Sequence, residues 1–92
     1  MNVTNIDQIT GYHAHIYFDT DTEADAQAVR DAIDARFTVT LGRWHRRAVG
    51  PHTRWMYQVI FATELFASFV PWLALNRRGL AILVHPESGN AL

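Results

Sequence analysis

Residues 12–18 read Tyr12-His13-Ala14-His15-Ile16-Tyr17-Phe18. Side chains of a strand alternate between two faces, so Tyr12, Ala14, Ile16 and Phe18 point one way and His13, His15 and Tyr17 the other. This is a strand with one apolar face and one chemically loaded face, and the rest of the chain has to be arranged around both.

On its C-terminal side, residues 21–36 carry Asp21 or Thr22 as a candidate N-cap and acids in the first turn. Val29 and Ile33 stand at i, i+4 with Ala26 and Ala32 beside them. That pattern predicts an amphipathic helix with an acidic outer face. Phe37, Val39 and Leu41 alternate with Thr38 and Thr40, which predicts a second strand ending near Gly42. Residues 44–54 contain Gly50-Pro51 and read as a loop. Residues 55–62 (Trp-Met-Tyr-Gln-Val-Ile-Phe-Ala) are apolar on nearly both faces, as a central or covered strand is. Thr63 can cap a second helix running to Arg78, with Pro71 inside it and Gly79 as its stop. Residues 80–85 form a fourth strand that Pro86 should end.

The order β-α-β-β-α-β is the split βαβ pattern, and it predicts an α+β, ferredoxin-like sandwich: a four-stranded antiparallel sheet with two helices on one face. The strand order would be 4-1-3-2. His85, at the end of the fourth strand, would then lie beside the start of the first strand, near His13. His52 belongs to the loop at the opposite end of the first strand, and joins the other histidines only if that loop folds over the open face or a second subunit supplies it. An open face this apolar needs a cover, and a homodimer is the economical one.

Composition narrows the function. The chain has 92 residues, of which 49% are hydrophobic and 12% aromatic, enough for a single folded domain over residues 1–92 with 1–10 as a flexible or edge segment. There is no cysteine, so thiolate catalysis, zinc ribbons, iron–sulfur clusters and disulfides are out. The longest uncharged run, residues 65–76, is 12 residues, short of the ~20 that a membrane-spanning helix needs. The N-terminus lacks the basic and apolar regions of a secretory signal, so a cytoplasmic protein is expected.

All eight basic residues are arginine, and the net charge of -1 hides a polarised layout. Residues 19–36 carry six acids against two arginines; residues 43–54 carry four arginines and no acid. Such a balance is a poor footprint for nucleic acid, and no nucleic-acid partner is expected. The basic segment is either an anion-binding loop or a solvated loop facing the acidic helix. The five histidines are the more specific signal. A His-x-His pair on a strand sets two imidazoles about 7 Å apart on one face, near enough to share a metal ion, although half-buried strand histidines are also satisfied by backbone or water.

Four segments complete the picture: residues 12–18; Val49-Gly50-Pro51-His52; Trp72-Leu73-Ala74-Leu75-Asn76-Arg77-Arg78-Gly79-Leu80; and Val84-His85-Pro86. In this order they resemble the DOPA 4,5-dioxygenase family over residues 12–90. The resemblance implies a compact ferredoxin-like dimer that cleaves a catechol ring in the extradiol manner with non-haem Fe(II) and O2. It implies His15, His52 and His85 as metal ligands, and His13 as a ligand or as the acid–base group alongside His15 and His52 in catalysis. A small aromatic substrate would meet Arg77, Tyr17 and His45, with Arg77 neutralising a carboxylate unless it only serves the helix C-terminus.

A facial set of two histidines and one carboxylate would need an acid from among Asp19, Glu64 and Glu87, of which Glu87 is nearest in sequence to a candidate ligand; an all-histidine site is the alternative. The family pattern continues past the His-Pro turn, whereas this sequence reaches only Leu92, so a shortened, inactive member is a competing expectation. A non-catalytic dimeric module binding a small molecule on the same face is another, and a cofactor-independent oxygenase a third.

Overall fold

The structure is a computed structural model that describes residues 1–47 and 54–89. A 3-10 turn at Ile6–Gln8 leads into β1 (Gly11–Phe18), followed by α1 (Glu23–Arg36), β2 (Thr40–Leu41), β3 (Trp55–Phe61), a 3-10 turn at Thr63–Leu65, α2 (Phe66–Asn76) and β4 (Ile82–Glu87). The sheet is fully antiparallel among its paired strands, in the order β2-β3-β1-β4. This is the expected α+β architecture. β1 is central because both of its edges are used: Ala14 faces Val59 on one side and Val84 on the other.

The apolar faces close as their alternation requires. Ala14, Ile16 and Phe18 of β1 are buried in one cluster with Tyr57, Val59 and Phe61 of β3. Ala26, Val29 and Ile33 of α1, and Phe69 and Leu73 of α2, join the same cluster, so both helices lie on one face of the sheet. Asp19 organises the entry to α1. Its Oδ1 accepts from the N–H of Asp21 and Thr22 and from the Thr22 hydroxyl, which in turn accepts from the Asp19 N–H. The Thr22 hydroxyl is thus spent on Asp19 and makes no capping bond to the helix. These hydrogen bonds, the Thr22 hydroxyl foremost, hold the Asp19 carboxyl below its ordinary range.

Four local readings need correction. The second strand, expected over residues 37–41, pairs only at Thr40–Leu41. Phe37 is the C-cap of α1, and its ring packs on Phe69 and Trp72 instead of entering the ladder. The expected loop from residue 44 begins as sheet edge. Gly42 N–H donates to the Gln58 carbonyl at 2.7 Å, and His45 and Met56 exchange both backbone hydrogen bonds. Gly42 is tightly approached: a Cβ there would stand 2.8 Å from Gln58 Cγ. Trp44 stacks on Tyr57 with ring centroids 5.3 Å apart, so this part of the basic segment is anchored in the core.

Thr63 is not the cap of the second helix; Ala62 precedes the 3-10 turn, and α2 starts only at Phe66. Its stop spreads over two residues, Arg78 (φ 53°) and Gly79 (φ 76°), both in the left-handed region. Finally, Pro86 does not end β4. It sits opposite Tyr12 within the strand, and Glu87 follows opposite Gly11. Among the described residues β4 pairs only with β1, and an edge strand tolerates a residue without an N–H.

Tyr57 is fully buried, donates its hydroxyl to the Ala26 carbonyl at 3.0 Å and lies under the Arg30 guanidinium. Burial pushes its ionisation well above that of a free tyrosine, against a smaller opposing effect of Arg30. The unfolded chain loses this proton at about pH 10 and the folded one only above it. Stability from the buried neutral phenol is therefore complete below about pH 10 and declines as pH rises beyond it. Tyr57→Phe should be less stable at pH 7 by about 1 kcal/mol, the net worth of the lost hydrogen bond. It should also lose less stability than the parent between pH 9 and 11 in urea denaturation. Parallel losses in the two proteins would contradict this origin.

Candidate metal centre

The face of β1 opposite the helices carries His13, His15 and Tyr17. Directly paired residues in an antiparallel sheet point to the same side, so register decides what meets them. His13 pairs with His85 on β4 and Ile60 on β3; His15 pairs with Leu83 and Gln58; Tyr17 pairs with Met56. The expected meeting of His85 with His13 is thus a direct cross-strand pair.

Three imidazoles converge. Among the described residues, His13, His15 and His85 each offer a ligand atom, and these atoms all lie within 4.8 Å of one another. His15 Nε2 and His85 Nε2 are 2.9 Å apart, with their rings nearly parallel at 12°. The His13 ring is centred 5.2 Å from that of His85. His15 is the deepest of the three at 5% exposure. Its Nδ1 lies 3.5 Å from Met56 Sδ. A thioether only accepts, so this contact suits a proton on Nδ1 and leaves the Nε2 lone pair toward His85. His85 Nδ1 has the Pro86 carbonyl at 3.4 Å as an acceptor.

This donor set fits a metal ion. Two imidazole nitrogens bound at about 2.1 Å and at right angles stand about 3.0 Å apart, close to the separation found between His15 and His85. Each of those two rings has an acceptor near its other nitrogen, the arrangement that puts the lone pair on Nε2. Imidazole suits iron, zinc, copper and nickel alike, so the ligands alone do not choose among them.

The surroundings are asymmetric. At one end, Glu87 Oε1 lies 3.0 Å from His13 Nε2. At the other, the Arg54 guanidinium is 5.7 Å from the centre of the Tyr17 ring, whose hydroxyl is pushed up by burial and drawn partly back by Arg54. A groove of about 450 Å³ opens beside His13 and Glu87, lined also by Thr10, Thr40 and Ile60. That size suits a small organic molecule.

The other expected site residues divide. Tyr17 adjoins the cluster, its ring 6.5 Å from that of His15. His45 is held by backbone pairing to Met56 and is not in the cluster of three. Arg77 is not brought to the histidines: it caps α2, and its Nη1 donates to the Leu80 carbonyl at 2.9 Å. His52 lies outside the described residues. Met56 was missed by the sequence reading, although the alternation of β3 sets Met56, Gln58 and Ile60 on one face. Glu87, the nearest of the candidate acids in sequence, was expected beyond the strand; it lies within β4 and contacts His13.

Comparison with known proteins identifies relatives of this sequence and fold. The sequence model of the Dopa 4,5-dioxygenase family matches residues 12–92. DOPA 4,5-dioxygenase of Amanita muscaria is 39% identical over 88 residues, covering 86% of this chain and 39% of that protein. An "Uncharacterized 21.2 kDa protein" of Botryotinia fuckeliana is 33% identical over 82 residues, covering 84% of this chain and 45% of that one. The chain thus spans less than half the length of these two curated relatives. The crystal structure of a "putative dioxygenase" from Nostoc punctiforme superposes with a TM-score of 0.93 at 50% identity, covering 95% of this chain and 76% of that one.

Tag-free protein should bind one Co(II) per chain, and His15→Ala and His85→Ala should each weaken binding by at least tenfold. His45→Ala should bind as the parent does. Equal affinity in all four proteins, measured by competition with a chromophoric chelator, would remove the cluster as a metal centre.

Proposed function

The chain belongs to the Dopa 4,5-dioxygenase family, and on that premise we propose that it is an extradiol-type ring-cleaving dioxygenase acting on a catechol with iron(II) and O2. The observation that carries this reading is the three-histidine cluster on the open face, with the His15 and His85 Nε2 atoms 2.9 Å apart. The adjoining groove, small and partly apolar, is consistent with an aromatic substrate of modest size.

His13, His15 and His85 would hold the metal. Bound there, iron(II) would supply open positions at which catechol and O2 meet, and would carry electrons between them. The chain's own residues would do the rest. Ile60 presents an apolar surface to the ring beside His13, and the Thr10 and Thr40 side chains line the same groove. Such a wall restricts the poses a flat ring can take, which is how a site turns an encounter into an oriented one. His52 is the candidate base for a catechol proton, since an imidazole titrates near neutrality. Both atoms of O2 end in the product, and the ring opens with no other oxidant required.

Protein loaded anaerobically with Fe(II) and then mixed with aerated buffer and a panel of catechols should consume one O2 per catechol and form a yellow ring-opened product. His15→Ala should lower the rate by at least a hundredfold. If no catechol in the panel stimulates oxygen uptake, the catalytic reading falls and a binding module on the same face takes its place. Uptake that persists with a strong chelator present would instead favour metal-free oxygen chemistry.

A further inference from the structure

Glu87 is the acidic group nearest the cluster, yet it is not among the residues whose ligand atoms converge. Its Oε1 is instead 3.0 Å from Nε2 of His13. We propose that Glu87 is the positioning residue for His13: its carboxylate accepts the His13 Nε2 proton, fixes the tautomer and leaves Nδ1 as the ligating nitrogen. This rests on the metal reading above and says how one ligand of that centre is set.

The argument begins with atom inventory. An ionised carboxylate only accepts, so the short contact requires a proton on His13 Nε2. A ring nitrogen that carries a proton has no lone pair for a metal, and in the neutral ring the lone pair is then on Nδ1. A carboxylate on the far nitrogen also raises ligand basicity and holds the ring's orientation. The three imidazoles are then each provided for: His15 has Met56 Sδ near Nδ1, His85 has the Pro86 carbonyl near Nδ1, and His13 has Glu87 at Nε2. His13 has a carboxylate partner, and it would ligate through Nδ1.

Backbone register explains why Glu87 is in reach. β4 continues through Pro86, so Glu87 stands opposite Gly11 and two residues beyond His85 on the same face as His13. Thr10 fixes this end of the strand pair, with its N–H at 2.7 Å and its hydroxyl at 3.2 Å from the Glu87 carbonyl. The Glu87 side chain is about half exposed, so a direct test does not disturb the core.

The test is a double-mutant cycle read by Co(II) affinity and by the Co(II) visible spectrum, on the parent, Glu87→Ala, Glu87→Gln, His13→Ala and the double variant His13→Ala/Glu87→Ala. Glu87→Ala should weaken Co(II) binding about 10- to 100-fold. Glu87→Gln, which keeps an acceptor but not the charge, should recover part of that loss. In the His13→Ala background, removal of Glu87 should change affinity less than twofold, because its effect runs through His13. Melting temperatures of the metal-free proteins should stay within about 2 °C, separating positioning from a structural role.

A full Glu87 effect that persists without His13, with a changed Co(II) spectrum, would make Glu87 a ligand itself and overturn the proposal. So would Glu87→Ala binding Co(II) as the parent does while His15→Ala does not. If the parent binds no Co(II), the metal reading fails first and this inference with it.

Discussion

The register of β1 against β4 is the constraint on which the rest depends. Setting His13 opposite His85 also sets His15 opposite Leu83, Ala14 opposite Val84 and Gly11 opposite Glu87. Because side chains alternate with a period of two, a slip of one residue in β4 would bury His85 among the helices and turn Val84 toward solvent. The apolar packing of Ala14, Ile16 and Phe18 against α1 and α2 therefore enforces the convergence of the histidines on the other side. Fold stability and site assembly are two readings of a single alignment. Substitutions in the core of this face can thus disturb the site without touching it.

The charge layout has an intramolecular outcome. Arg46 reaches Glu23 at 2.6 Å, Trp44 Nε1 donates to the same carboxylate oxygen, and Arg78 pairs with Asp25 at 2.8 Å. The acidic helix is in this way met by basic residues from two other segments. These are largely exposed pairs, each worth little in stability, so they serve register and orientation more than energy. Arg54, at the end of the basic segment, is set beside Tyr17 on the histidine face.

Much of this was legible from one seven-residue alternation. Residues 12–18 carry both the buried and the histidine-bearing face, and the β-α-β-β-α-β order by itself places His85 next to His13. What was not legible followed from edges. A two-residue pairing at Thr40–Leu41 carries almost no periodic signal, and Phe37 looks like a strand residue although its ring belongs to the helix layer. Pro86 reads as a terminator wherever its strand needs two partners, but β4 needs only one. That single misreading put Glu87 beyond the sheet and hid its contact with His13. Trp44 was hidden differently, because tertiary stacking on Tyr57 overrode the loop-like composition around it.

Placing the three imidazoles on two adjacent strands has an energetic consequence. Among the described residues β4 is an edge strand held to the sheet by β1 alone, and its outward residues Leu83 and Glu87 are exposed. An ion shared by His13 and His15 on β1 and His85 on β4 would tie that edge to the centre. Binding of any such ligand to the folded state alone stabilises it by about 2.7 kcal/mol at a free concentration of a hundred times Kd. For a domain whose total stability is of the order of 5–15 kcal/mol, that is a large share. The same cross-strand geometry that gathers donors for chemistry would then make the sheet edge most secure when the centre is filled.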